Sequence, residues 1–98
     1  MSISEPELSQ RARTVRVSDE ALSVELIDGR WISVPLAWFP RLVHGSAAER
    51  ANWRLAADGC GVHWPDLDED ISVAGMLAGR RSAETAESIA RWLEKRRS

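Results

Sequence analysis

Three aspartates, Asp66, Asp68 and Asp70, stand at alternate positions in HWPDLDEDISVAGMLAG, residues 63–79. Carboxylates at positions one, three and five open a calcium loop, where hard oxygen ligands gather around a divalent cation. The rest of that loop fails: position six, which needs glycine for the bend, is Ile71, and position twelve, which needs a bidentate glutamate, is Leu77. The same acids suit the start of a helix. Asp70 or Ser72 can accept hydrogen bonds from the first free backbone amides, and acids just upstream lie near the positive end of the helix dipole. The acids outnumber what one short helix requires, so Asp66, Asp68 and Glu69 are also expected to meet a basic partner surface.

Other reactive types are sparse. Cys60 and His63 would make a nucleophile and base, but three residues apart on one strand they point to opposite faces. Zinc needs four ligands, and the chain offers one cysteine and two histidines, His44 and His63. "DGCG" and "VAGMLAG" lack the lysine, the serine and the strand-to-helix context of a phosphate loop or hydrolase elbow. No catalytic residue, cofactor site or metal site is therefore assigned. A small hydrolase or metalloprotein is the third choice, with loss of activity expected on replacing Cys60, His63 or Asp68.

Five tryptophans, Trp31, Trp38, Trp53, Trp64 and Trp92, accompany a single phenylalanine. A domain this small cannot enclose five indoles fully, so one or two should lie at the surface, Trp31 on the second face of a sheet or Trp92 off a helical stripe. Arg80, Arg81, Arg91, Lys95, Arg96 and Arg97 make the C-terminal segment basic, which suits phosphate contact or a solvated helix end.

Hydrophobic alternation positions these residues. Val15 and Val17, then Leu22, Val24 and Leu26, then Ile32 and Val34 alternate with polar or exposed neighbours, predicting three strands. Between the second and third, a loop of Ile27, Asp28 and Gly29 pairs Leu26 with Arg30, Val24 with Ile32 and Leu22 with Val34. That register gathers the branched residues on one face, whereas a two-residue turn would set Glu25 against Ile32. Pro35 closes the meander, and AWFPRLVHG reads as a short helical turn. Ser46 and Glu49 have capping-box spacing. WRLAA and GVHWP flank DGCG as a second hairpin, and ISVAGMLAG reads as a short helix ended by Gly79. A longer helix fills the C-terminal segment, with Ser82 as its cap, Ala86, Ile89, Ala90 and Leu93 as its apolar stripe, and its acids and bases matching its dipole. Residues 1–12, in which Ser4 and Glu7 offer a weak capping box, are expected to form a mobile arm, with 13–98 as a single α+β domain.

The composition, 44% apolar and 29% charged, is that of an ordinary globular chain and excludes both disorder and a lipid-embedded bundle. Net charge is −2, which argues against a dedicated nucleic-acid binder, although acids concentrate over 58–70 and bases over 80–98. MSISEPELSQRAR lacks the basic start and apolar run of a signal peptide, and one cysteine forms no internal disulfide, so a cytoplasmic location is the expectation.

The run LIDGRWISVPLAWFPRLVHGSAAERANWRLAADGCGVHWPDLDEDISVAGMLAG, residues 26–79, closely resembles the bacterial family catalogued as domain of unknown function 2442. The resemblance rests on DGR, VPLAWFPRL, ERANW, GVHWPDLDEDISV and the closing LAG. It implies a small α+β domain, found alone or ahead of a helix-turn-helix domain that this chain lacks. It also implies, for single-domain members, pairing with another small protein encoded beside them, in the manner of toxin–antitoxin systems. No active site transfers.

The expectation is thus an antiparallel meander, a second hairpin, short helices and a longer C-terminal helix, acting as a non-enzymatic protein-interaction module. Trp31, Trp38, Arg41, Asp66, Asp68, Glu69 and Trp92 are the expected contact residues, and a homo-oligomer is a further expectation. The second choice is a transcriptional regulator that touches nucleic acid through the basic terminal helix, with affinity falling steeply in salt.

Overall fold

The computed structural model describes residues 10–97, so the expected Ser4–Glu7 capping box lies outside the described residues. The chain forms an α+β fold of two three-stranded antiparallel sheets, short helices and one longer C-terminal helix. Strands β1 (Ala12–Val17), β2 (Ala21–Leu26) and β3 (Trp31–Pro35) make the first sheet as a meander. Ala12, at the edge of the expected arm, is the first residue of β1 and is buried. The three-residue loop carries the register: Leu22 faces Val34, Val24 faces Ile32, and the Leu26 amide donates to Arg30 O at 2.7 Å. Gly29 supplies the left-handed φ of 95° that this loop needs. Leu22, Val24 and Leu26 consequently all point inward and are fully buried.

A 3₁₀ turn, Leu36–Trp38, leads into α1 (Pro40–His44), with Pro40 at the helix start where its missing amide is harmless. Helix α2 (Ala47–Ala51) opens on a complete capping box. The Ser46 hydroxyl accepts from the Glu49 amide at 3.1 Å, and the Glu49 carboxylate accepts from the Ser46 amide at 2.8 Å.

The second sheet has one strand more than the expected hairpin. Strands β4 (Arg54–Ala56) and β5 (Gly61–Trp64) pair across a left-handed turn, and β6 (Glu69–Ser72) adds to β5. In that turn Gly59 has φ 92°, and a Cβ there would lie 2.9 Å from Ala12 O, so glycine lets the second sheet abut the start of the first. Residues 65–68 form the β5–β6 turn, with Asp68 at a left-handed φ of 49°.

Helix α3 therefore starts only at Val73 (Val73–Leu77), two residues later than its apolar pattern suggested. Ser72 holds its cap, accepting from the Gly75 amide at 2.8 Å. Asp70 is no helix cap: it sits inside β6 opposite His63, because the ladder with β5 claims its backbone. Ser72→Ala should lower stability by about 1 kcal/mol in chemical denaturation, the worth of a lost cap, while Asp70→Ala should leave α3 unaffected. The reverse order would overturn this assignment.

After an extended connection, α4 (Ala86–Arg97) completes the fold. Ser82 is not its cap either: its hydroxyl takes the Glu84 amide at 3.1 Å within the connection, and Thr85 Oγ1 caps the helix by accepting from the Ser88 amide at 3.0 Å. Both sheets, the 3₁₀ turn, α1 and α3 share one core, centred on Leu22, Leu36, Leu42, Trp64 and Leu67. Among the described residues, no helix is long and apolar enough to cross a membrane.

Candidate interaction site

The three aspartates that suggested a loop for a cation go to three different partners. Asp66 accepts from Asn52 Nδ2 at 2.8 Å, Asp68 lies 3.6 Å from Arg41, and Asp70 lies 2.8 Å from His63 Nδ1. Among the described residues, no group of three or more histidine, cysteine or acidic side chains could hold a metal ion. Their dispersal follows from β6, which pulls Asp70 into a ladder while the tight turn swings Asp68 outward.

Arg41 is the centre of the densest polar cluster. It stands on α1 and makes a bidentate pair with Glu84, Nε to Oε1 at 2.8 Å and Nη2 to Oε2 at 2.6 Å. Its third nitrogen donates to Asp68 O at 3.0 Å, which ties down the left-handed β5–β6 turn. The guanidinium also stacks on Trp92, 5.1 Å from the ring centre. With the side chains only 16% and 12% exposed, the Arg41–Glu84 pair is largely removed from water, where its attraction is weakly screened. The guanidinium holds the Glu84 carboxyl below its usual range, with help from the Ser88 hydroxyl.

Glu69 borders this cluster in the opposite electrostatic condition. Burial raises its carboxyl above the usual value, against the lowering effects of the Asp70 amide and nearby Arg41. Its Oε1 accepts from the Asp70 amide at 3.0 Å, whereas Oε2 is buried with no hydrogen-bond partner in the structure.

A second ion pair fixes α4. Arg96 donates twice to Glu49, at 2.7 and 3.1 Å, and lies over Trp92 at 4.7 Å. The Glu49 carboxyl is thereby lowered to about 2, chiefly by the Arg96 hydrogen bonds and then by the Ser46 amide. Trp92 is thus not a free surface indole. It is half-buried against the core with two guanidiniums over its ring, and Ser88, Ile89, Trp92 and Leu93 form the inner face of α4. Ala86 and Ala90, expected on that face, are exposed.

The structure therefore brings together Arg41, Asp68, Glu69 and Trp92, with Asp66 on the same turn. Trp38 instead packs against the core beneath Arg81 at 4.9 Å, and Trp31 lies on the outer face of the first sheet. Trp31 is 43% exposed and carries the Arg16 guanidinium 5.0 Å above its ring. Sequence reasoning missed the contacts of Glu49, Glu84 and Arg96, which are made 43 and 47 residues away in the chain. It also missed Arg50, whose guanidinium donates to Leu42 O at 2.7 Å and to Val43 O at 2.9 Å and so satisfies the end of α1. A lone arginine in a capping-box helix gives no signal of that duty.

Cys60 is exposed in the turn before β5, and His63 is half-exposed on β5 in its cross-strand pair with Asp70. The outer row of the second sheet runs Arg54, His63, Asp70, a run of charged and polar neighbours in register.

This architecture, a meander joined by two short helices to a second small sheet, defines a class of compact α+β domains whose crossing acids and arginines are mostly internal ties. The chain belongs to the family described as protein of unknown function (DUF2442), whose model matches residues 12–82. Two solved structures are similar. A protein of unknown function from Rhodospirillum rubrum is 26% identical with a TM-score of 0.66, over 76% of this chain and 92% of that one. An uncharacterised protein from Chromobacterium violaceum shares the fold at 23% identity and a TM-score of 0.63, over 83% of this chain and 74% of that one. No curated protein matches the chain.

Proposed function

We propose that this chain is a non-enzymatic protein-interaction module of the bacterial cytoplasm, the antitoxin-like or regulatory partner of another small protein encoded beside it. The observation that carries this reading is Trp31. A large indole, 43% exposed on a sheet face and accompanied by exposed Ile27 at the adjacent loop, contributes little to the core and much to a contact. Arg16 above the ring adds a cation that a partner carboxylate can meet without giving up the stack.

The test is affinity capture of tagged wild type and Trp31→Ala from the native host, at moderate salt, with and without nuclease. Trp31→Ala should leave the domain folded at a cost of about 1–2 kcal/mol, the worth of a half-covered ring and its stacked cation, and should lose at least about tenfold of a stoichiometric small partner. Equal recovery of partner by both proteins would refute a role for this face. Recovery of nuclease-sensitive material alone would favour the second reading, DNA contact through the basic terminal helix. That reading is weakened by the engagement of Arg96 with Glu49.

A further inference from the structure

Helix α4 is bound to the domain as a ligand is bound. The family model ends at Ser82, before α4 begins at Ala86. None of the twelve residues of α4 is buried, although fifteen hydrophobic residues elsewhere are. Its attachment is a half-buried face of Ser88, Ile89, Trp92 and Leu93, closed by the Arg96–Glu49 pair, and the opposite face is solvated. The connection is pinned to the domain at Ser82, whose amide donates to Trp38 O at 3.0 Å, and again through Glu84 on Arg41. The receiving surface is acidic where it meets Arg96, with Glu49 paired to it and Asp66 within electrostatic reach, and cationic where Arg41 lies over the Trp92 ring. A single helix of this length is marginal in water by itself, so docking is what keeps it helical.

We propose that α4 occupies, within its own chain, a helix-binding face of the domain, and that the partner this face admits is a basic amphipathic helix with tryptophan and arginine four residues apart. The proposal rests on the interaction-module reading and names a surface distinct from Trp31. A tethered helix competes at a high effective concentration, so the face is closed to weak binders and opens to a partner of matching charge and better contact. Because the closing Arg96–Glu49 pair keeps 29% and 24% of its side chains exposed, salt weakens it and charge reversal releases the helix.

The probe is a fluorescein-labelled peptide with the sequence of residues 83–98, titrated by anisotropy with the full-length chain at low salt. Arg96→Glu in the chain should release α4, and the peptide should then bind at least about tenfold more tightly than it binds wild type. Adding Glu49→Arg restores the pair with its charges reversed, so α4 should dock again and binding of the peptide should fall back to the wild-type level or below. Hydrogen exchange on Arg96→Glu alone should show fast amides over 86–97 and protected amides in β2, which establishes that the domain is folded. Should Arg96→Glu fail to fold, Ala90→Pro breaks α4 from its exposed side and serves as the opened chain. Peptide binding that is equal in wild type and opened chains, or absent from both, would overturn the proposal. So would a dimer formed by exchange of α4, since the occupant would then be a second copy. Capture of a partner through Trp31 would survive any of these failures, which keeps the two readings separable.

Discussion

Arg41→Ala is expected to lower the stability of the domain by about 3 kcal/mol, read as a shift in the denaturation midpoint. The loss exceeds that of an ordinary surface pair because truncation strands Glu84, 12% exposed, without its counter-charge and leaves the Asp68 carbonyl and the Trp92 face without the same guanidinium. Lysine should recover little, since a point charge cannot reproduce the fork that meets both carboxylate oxygens. The pH dependence follows from the lowered Glu84 carboxyl. The pair contributes its full stability above the ordinary glutamate value of 4.5, and that contribution is lost as pH falls through the depressed folded value. Wild type and Arg41→Ala should therefore converge in acid. A difference below about 1 kcal/mol at neutral pH would show the cluster to be peripheral.

Trp64→Ala should have the larger effect, about 3–5 kcal/mol, enough to remove much of the stability of a domain this size. Trp64 is fully buried on β5, and its indole Nε1 donates to Arg50 O at 3.0 Å, so the ring both fills the centre of the core and ties α2 to the second sheet. Phenylalanine separates the two duties. It retains most of the volume and leaves the Arg50 carbonyl unpaired, a loss of about 1–3 kcal/mol. If phenylalanine and alanine prove equally harmful, the hydrogen bond rather than the packing dominates. A fall in thermal midpoint of only a few degrees for alanine would contradict the central position of this residue.

Why some of this was legible in the amino-acid sequence and some was not comes down to range. The β2–β3 register depended on Asp28-Gly29 and on which side the branched residues fall, both local, and the observed pairs are Leu22 with Val34 and Val24 with Ile32. The Ser46–Glu49 box is equally local. Strand β6 was hidden because Glu69, Asp70, Ile71 and Ser72 carry one strongly apolar residue, and its pairing with β5 rather than its own propensity makes it a strand. The inner face of α4 was legible in part. Ile89 and Leu93 of the expected stripe lie on it, whereas Ala86 and Ala90 are exposed and Trp92, which meets Arg41 from across the fold, takes their side. The interaction cluster itself joins residues 43 and 47 positions apart, and nothing in either segment names the other.

Glu49 has a consequence for how this chain can change over time. One carboxylate closes the α2 capping box and also receives both nitrogens of Arg96. Position 49 is therefore constrained by a short-range grammar and a long-range one together. Aspartate would keep the charge but lack the reach, and glutamine would keep the reach but lack the charge. Drift at Arg96 can be tolerated by a chain that loses α4, but drift at Glu49 must satisfy two neighbourhoods simultaneously, so lineages carrying the terminal helix should vary at 49 far less freely than those without it.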